Sequence, residues 1–133
     1  MIMGDFTSTL SVSASGLKAQ SMRLRHVSEN IANADTPGYH RKVVRFEELA
    51  AQKDGGATGV ELGPVELDQK ELARIYDPGS PLADENGYYD GSNVDLVVEI
   101  ADARQAQRSY EANLRMFDQT RQMSSALMEL LRR

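Results

Sequence analysis

Asn30-Ile31-Ala32-Asn33-Ala34-Asp35-Thr36-Pro37-Gly38-Tyr39 marks the place where one kind of structure gives way to another. Pro37 drives Thr36 out of the helical region, because the proline ring clashes with the preceding residue in that conformation. Pro-Gly suits the centre of a type II turn, whose second central residue needs a positive φ. Asn30 and Asn33 carry side chains that hydrogen bond to backbone groups freed where a helix stops. On its residues alone the stretch is a helix terminator, and it separates an N-terminal segment from a longer C-terminal one.

Upstream, Met3, Phe6, Leu10, Ser13, Leu17, Gln20, Leu24, Val27, Ile31 and Ala34 alternate spacings of three and four, and eight of the ten are apolar. The pattern predicts a helix from about Asp5 to Asn33, about 40 Å long at about 1.5 Å per residue. Its other faces carry Thr7, Ser8, Thr9, Ser11, Ser15, Ser21 and Ser28. Their hydroxyls compete for backbone hydrogen bonds, so the helix is expected to be marginal alone.

Downstream, Gly55, Gly56, Gly59, Gly63, Pro64, Pro78, Gly79, Pro81, Gly87 and Gly91 interrupt the chain too often for a long helix. Alternating stretches at Val43 to Glu47, Val60 to Leu62, Val65 to Asp68 and Leu72 to Tyr76 predict two to four short strands, with a flexible tip at Asp54 to Gly59. Helical spacing then returns at Leu96, Ile100, Ala103, Gln107, Tyr110, Leu114, Phe117, Arg121, Ser124, Met128 and Leu131, eight of eleven being apolar. A second helix is predicted from about Val94 to Arg132, with Leu127 counted in its packing set and Ser92 and Asp95 expected as a capping box. The expected fold is mainly α: N- and C-terminal helices forming a coiled-coil pair, with a small irregular β-containing segment between them. Residues 1–34, 35–93 and 94–133 are its three parts, and the seam from Leu10 to Ile31 is expected to face that from Leu96 to Leu131.

Charge follows the same division. There are two acidic and three basic residues in 1–34, twelve and six in 35–93, and six and six in 94–133, for a net of -5. The ends are near neutral, so helices there approach one another without strong repulsion. No basic surface suits nucleic acid or an anionic membrane, and no run reaches about 18 apolar residues, so membrane insertion is not expected.

The 133 residues contain no cysteine, which excludes disulfides and thiolate metal sites. His26 and His40 lie beside arginines rather than carboxylates, a poor setting for a shared metal. Asp84-Glu85-Asn86-Gly87 fails as a calcium loop, because aligning Gly87 with the loop glycine puts Leu82 at the first ligand position, so a turn is expected. No nucleophile elbow, zinc-protease motif or phosphate-binding glycine loop occurs. No catalytic residue and no cofactor is expected.

The Asn30 to Tyr39 stretch resembles the signature of the bacterial flagellar axial proteins, the rod and hook family, whose N-terminal helix ends in a segment of the form NxANxxTPGY. Asn30, Ala32, Asn33, Thr36, Pro37, Gly38 and Tyr39 carry that match. Pro81 to Tyr88, Asn93-Val94-Asp95-Leu96 and Gln107 to Asn113 extend it over nearly the whole chain. They fit one proximal-rod subunit better than its near relative, which matches less well around Arg108 to Asn113.

The resemblance implies a non-enzymatic subunit of the proximal rod, the drive shaft that crosses the periplasm. Its partners would be other rod subunits and copies of itself. Delivery by the flagellar type III export apparatus without a cleaved leader, and partial disorder before assembly, are implied too. Leu10, Leu17, Leu24, Val27, Ile31, Leu96, Ile100, Tyr110, Leu114, Phe117, Leu127, Met128 and Leu131 are the expected packing and assembly residues. A second reading of the same helices is a soluble helical-hairpin binding module or export chaperone.

Overall fold

The computed structural model describes residues 2–49 and 58–132. Its frame is two helices, α1 (Ile2–Ala32) and α2 (Leu96–Leu131), of 31 and 36 residues. Between them lie six short strands: β1 (Lys42–Val43), β2 (Phe46–Glu48), β3 (Val60–Leu62), β4 (Glu66–Leu67), β5 (Arg74–Tyr76) and β6 (Tyr88–Asp90). They form three separate antiparallel pairs, β1 with β4, β2 with β3 and β5 with β6.

The mainly α expectation holds, and so does the strand-containing insert. Three details differ. The stretch Val43 to Glu47 is split between β1 and β2, and β6 is an additional strand, because its Tyr88-Tyr89-Asp90 sits beside a turn and lacks an alternating pattern of its own. Part of the expected tip, residues 54–57, lies outside the described residues. The capping box is also corrected: Asp95 alone caps α2, its carboxylate accepting the Val97 N–H at 3.0 Å and its carbonyl accepting the Glu99 N–H at 3.0 Å. Ser92 lies before the helix and donates its hydroxyl proton to the Ala34 carbonyl.

Two compact units share these elements. One comprises Met1–Leu24, Arg45–Gly63 and Gln105–Arg133, the other Arg25–Val44 and Pro64–Arg104.

In the first unit α1 and α2 run antiparallel, Gly16 lying against Asn113 and Arg23 donating to the Gln105 side chain at 3.1 Å. A Cβ on Gly16 would sit 2.9 Å from the Asn113 amide nitrogen, so a side chain there would push the Asn113 carboxamide aside. Ser13, Ala19, Ala106 and Thr120 are buried with it. The β2–β3 hairpin is tied to α1 by Ser15, whose hydroxyl donates to Val12 and accepts the Val60 N–H at 3.0 Å, while Arg23 stacks over Phe46.

The inner line of α2 is therefore not the oiliest one. In this unit Ala106, Tyr110, Asn113, Phe117, Thr120, Ser124 and Leu127 are withdrawn from solvent, again at spacings of three and four. Tyr110, Phe117 and Leu127 are among the expected packing residues. Leu114, Met128 and Leu131 are too, yet they are 40%, 49% and 74% exposed. Close approach of two backbones selects small residues, whereas counting apolar positions finds the stripe with the largest ones. Leu10, Leu17 and Leu24 on α1 are half-buried.

Candidate functional site

The second unit is built on the turn that ends α1. Tyr39 N–H bonds to the Thr36 carbonyl at 3.2 Å and Gly38 has φ +74°, as a type II turn over Thr36-Pro37-Gly38-Tyr39 requires. Asn33 does what a helix-terminating asparagine is expected to do. Its amide donates to the Glu29 carbonyl at 2.8 Å, and its side-chain oxygen accepts the Thr36 hydroxyl at 3.0 Å. Ala32 ends α1 and is exposed.

Asn30 has a different task. It is 1% exposed, and its side chain stands in for a neighbouring strand along one edge of β1. The carboxamide oxygen accepts the Lys42 N–H at 2.8 Å, and the amide nitrogen donates to the Lys42 carbonyl at 3.0 Å. The same oxygen accepts the Tyr39 hydroxyl at 2.8 Å. Burial raises the pKa of that phenol, so it remains a donor over the ordinary pH range.

Beside Asn30 lies Glu99 of α2, fully buried. Its carboxylate accepts Arg41 Nε at 2.6 Å and, more distantly, the Asn30 amide at 3.4 Å. The other guanidinium nitrogens reach Asp68 at 3.4 Å and Asp102 at 3.6 Å. Asn93 completes the cluster: its oxygen accepts the Arg41 N–H at 2.6 Å, and its amide donates to the Asp68 and Lys70 carbonyls. Lys42 Nζ meets Glu29 at 2.7 Å, which holds the Glu29 carboxyl below its ordinary range and raises the lysine. Asp68 is lowered by the Lys70 backbone N–H and then by Arg41.

Further along the insert, Asp84 to Gly87 forms the expected turn, with the Gly87 N–H on the Asp84 carbonyl at 3.0 Å. The Asp84 carboxylate accepts the N–H groups of Asn86 and Tyr88 and pairs with Arg74.

Nothing in this cluster has the form of a catalytic site. Its charged groups are satisfied by one another, and among the described residues no group of three or more His, Asp or Glu is placed to hold a metal. The arrangement fixes backbone segments. Arg41, Asp68, Glu99 and Asp102 are not singled out by sequence reading, and Asn93 enters it only within the family stretch Asn93-Val94-Asp95-Leu96. The one available signal is a charge inside the apolar run Val97-Val98-Glu99-Ile100, off the expected seam of Leu96 and Ile100 but needing a partner if buried. The expected packing residues Leu96 and Ile100 in this unit are each 47% exposed and Ile31 is 37% exposed, whereas Val27 is buried.

Residues 10–40 match the family described as Flagella basal body rod protein, and residues 85–130 match the one described as Flagellar basal body rod FlgEFG protein C-terminal. The first match covers most of α1 and the whole turn, and the second covers nearly all of α2. Over 138 aligned residues the chain is 42% identical to the flagellar basal-body rod protein FlgC of Agrobacterium fabrum, covering 98% of each chain. The chain belongs to the FlgC family. Identity is 40% with FlgC of Salmonella typhimurium, over 84% of this chain and 87% of the relative, and 33% with FlgC of Bacillus subtilis, over 92% and 95%. As a FlgC-family protein it is a structural subunit of the flagellar basal-body rod and not an enzyme. Membership sets aside the reading as a separate binding module or chaperone.

Proposed function

We propose that this chain is a subunit of the proximal rod and polymerises through its two helices with copies of itself and with other rod subunits, transmitting torque along the shaft. The observation that carries the reading is the outward face of α2. Met116, Met123 and Leu130, spaced by seven residues, are 53%, 54% and 66% exposed, and Leu114 and Met128 form a second exposed line. Fully burying one such side chain is worth roughly 1.5 to 3 kcal/mol, so apolar lines on both sides of the inner one favour an assembly that covers them. The buried Asn30 cluster would set how the acidic insert leaves the helical layer, leaving the insert to make lateral contacts.

The family likeness also supports delivery to the periplasm by the flagellar type III export apparatus without a cleaved leader. No described helix is long and apolar enough to cross a membrane.

The test uses cells whose own copy has been replaced. Leu114→Glu and Met123→Glu change exposed positions, so the purified variants should retain the wild-type helical signal and melt within about 0.5 kcal/mol of it. Both should abolish swimming and be missing from purified basal bodies. Normal motility with both substitutions combined would contradict helix-mediated polymerisation.

A further inference from the structure

Closure of this second unit depends on where its buried polar groups find partners. Glu99 on α2 and Asn30 on α1 are both buried, but their direct contact is long, at 3.4 Å. Each finds its shorter bonds in the segment just past the turn. Glu99 takes Arg41 Nε at 2.6 Å, and Asn30 takes the Lys42 N–H and carbonyl at 2.8 and 3.0 Å and the Tyr39 hydroxyl at 2.8 Å. Remove that segment and a carboxylate with no countercharge remains between the two helix ends. Such a charge is strongly unfavourable in a dry interior, so the ends would separate to hydrate it.

We infer that Glu99 and Arg41 form an interlock. Within this unit the end of α1 and the start of α2 close on each other only when Tyr39–Lys42 is docked, and helix pairing and insert docking occur as one step. Arg41 is suited to this role because its guanidinium serves three carboxylates at once, Glu99, Asp68 and Asp102, while its own backbone N–H is held by Asn93. The interlock makes the geometry of the turn a condition of helix pairing rather than a result of it. It needs no ligand and acts in the single chain.

Amide hydrogen exchange on the purified full-length chain tests it, reading Val27 to Ala32 in α1, Glu99 to Ala103 in α2, and Lys42. In the unaltered chain all three groups should exchange through one shared opening. Arg41→Met should speed exchange in both helix segments, not only at Lys42, by at least about a hundred-fold, because a buried carboxylate loses its partner. Arg41→Met combined with Glu99→Met removes the stranded charge and should return the helix amides to within about ten-fold of the unaltered chain. Glu99→Gln alone, which leaves no charge to strand, should keep them protected. The inference is overturned if Arg41→Met affects Lys42 alone, if the double substitution does not restore the helix amides, or if the unaltered chain shows no protection there.

Discussion

Asn30 serves as a piece of β-strand carried on a helix. The Lys42 N–H and carbonyl, which a neighbouring strand would otherwise satisfy, are both met by its carboxamide, and the Tyr39 hydroxyl by the same oxygen. Asn30→Leu keeps the volume but leaves these groups buried without partners, each costing about 1 to 3 kcal/mol. Thermal denaturation should show a loss of about 3 kcal/mol or more, whereas a change under about 1 kcal/mol would mean that the cluster is not closed in solution.

Acid should act at the same scale. Asp84 is held below the ordinary carboxylate range by the Tyr88 backbone N–H, then by Asn86 and Arg74. A lowered folded pKa means that the contribution is fully present above the unfolded value of about 3.9 and is lost as pH falls through the folded one. Melting temperature should therefore drop as pH is lowered below about 4, and Asp84→Asn, which accepts the same N–H bonds without titrating, should flatten that dependence.

Asparagines at a helix end are readable as turn formers, and Asn33 is one. Asn30 also serves a partner twelve residues on and another on α2, and nothing local in the sequence announces such a partner.

At the scale of elements, periodicity locates both helices to within a few residues and places the turn between them. Which face of α2 turns inward is less legible. Leu114 and Met128 dominate any count of apolar positions, yet the residues withdrawn beside them are Ala106, Asn113 and Thr120, with Asn113 set against Gly16 of α1. Hydropathy reports what wants to leave water, and it is silent on whether the cover comes from the same chain or from a neighbour. The cap departs from its expected form for a related reason: Ser92 and Asp95 have capping-box spacing, but Ser92 is engaged by Ala34, just past the end of α1. With Asp95 as the sole cap, Asp95→Ala should cost about 1 kcal/mol and raise exchange at Val97, while leaving the last turn of α2 unchanged. A loss spread evenly along α2 would contradict this assignment.

For the molecule as a whole, charge is distributed by element, whereas each of the two compact units combines helix and insert. The excess negative charge lies in the insert, and the near-neutral ends are the helices whose apolar lines remain exposed. Family membership accounts for a chain with no chemistry of its own but with much apolar side-chain surface left uncovered. The proposed polymerisation draws on that surface, and the chain offers a convenient reporter because it lacks cysteine. Met123→Cys introduces a single thiol on an outward line of α2. In the purified chain it should react fully with a water-soluble maleimide, as a half-exposed position must. In isolated basal bodies the same thiol should be protected by neighbouring helices. Equal reactivity in the two states would contradict assembly through this face.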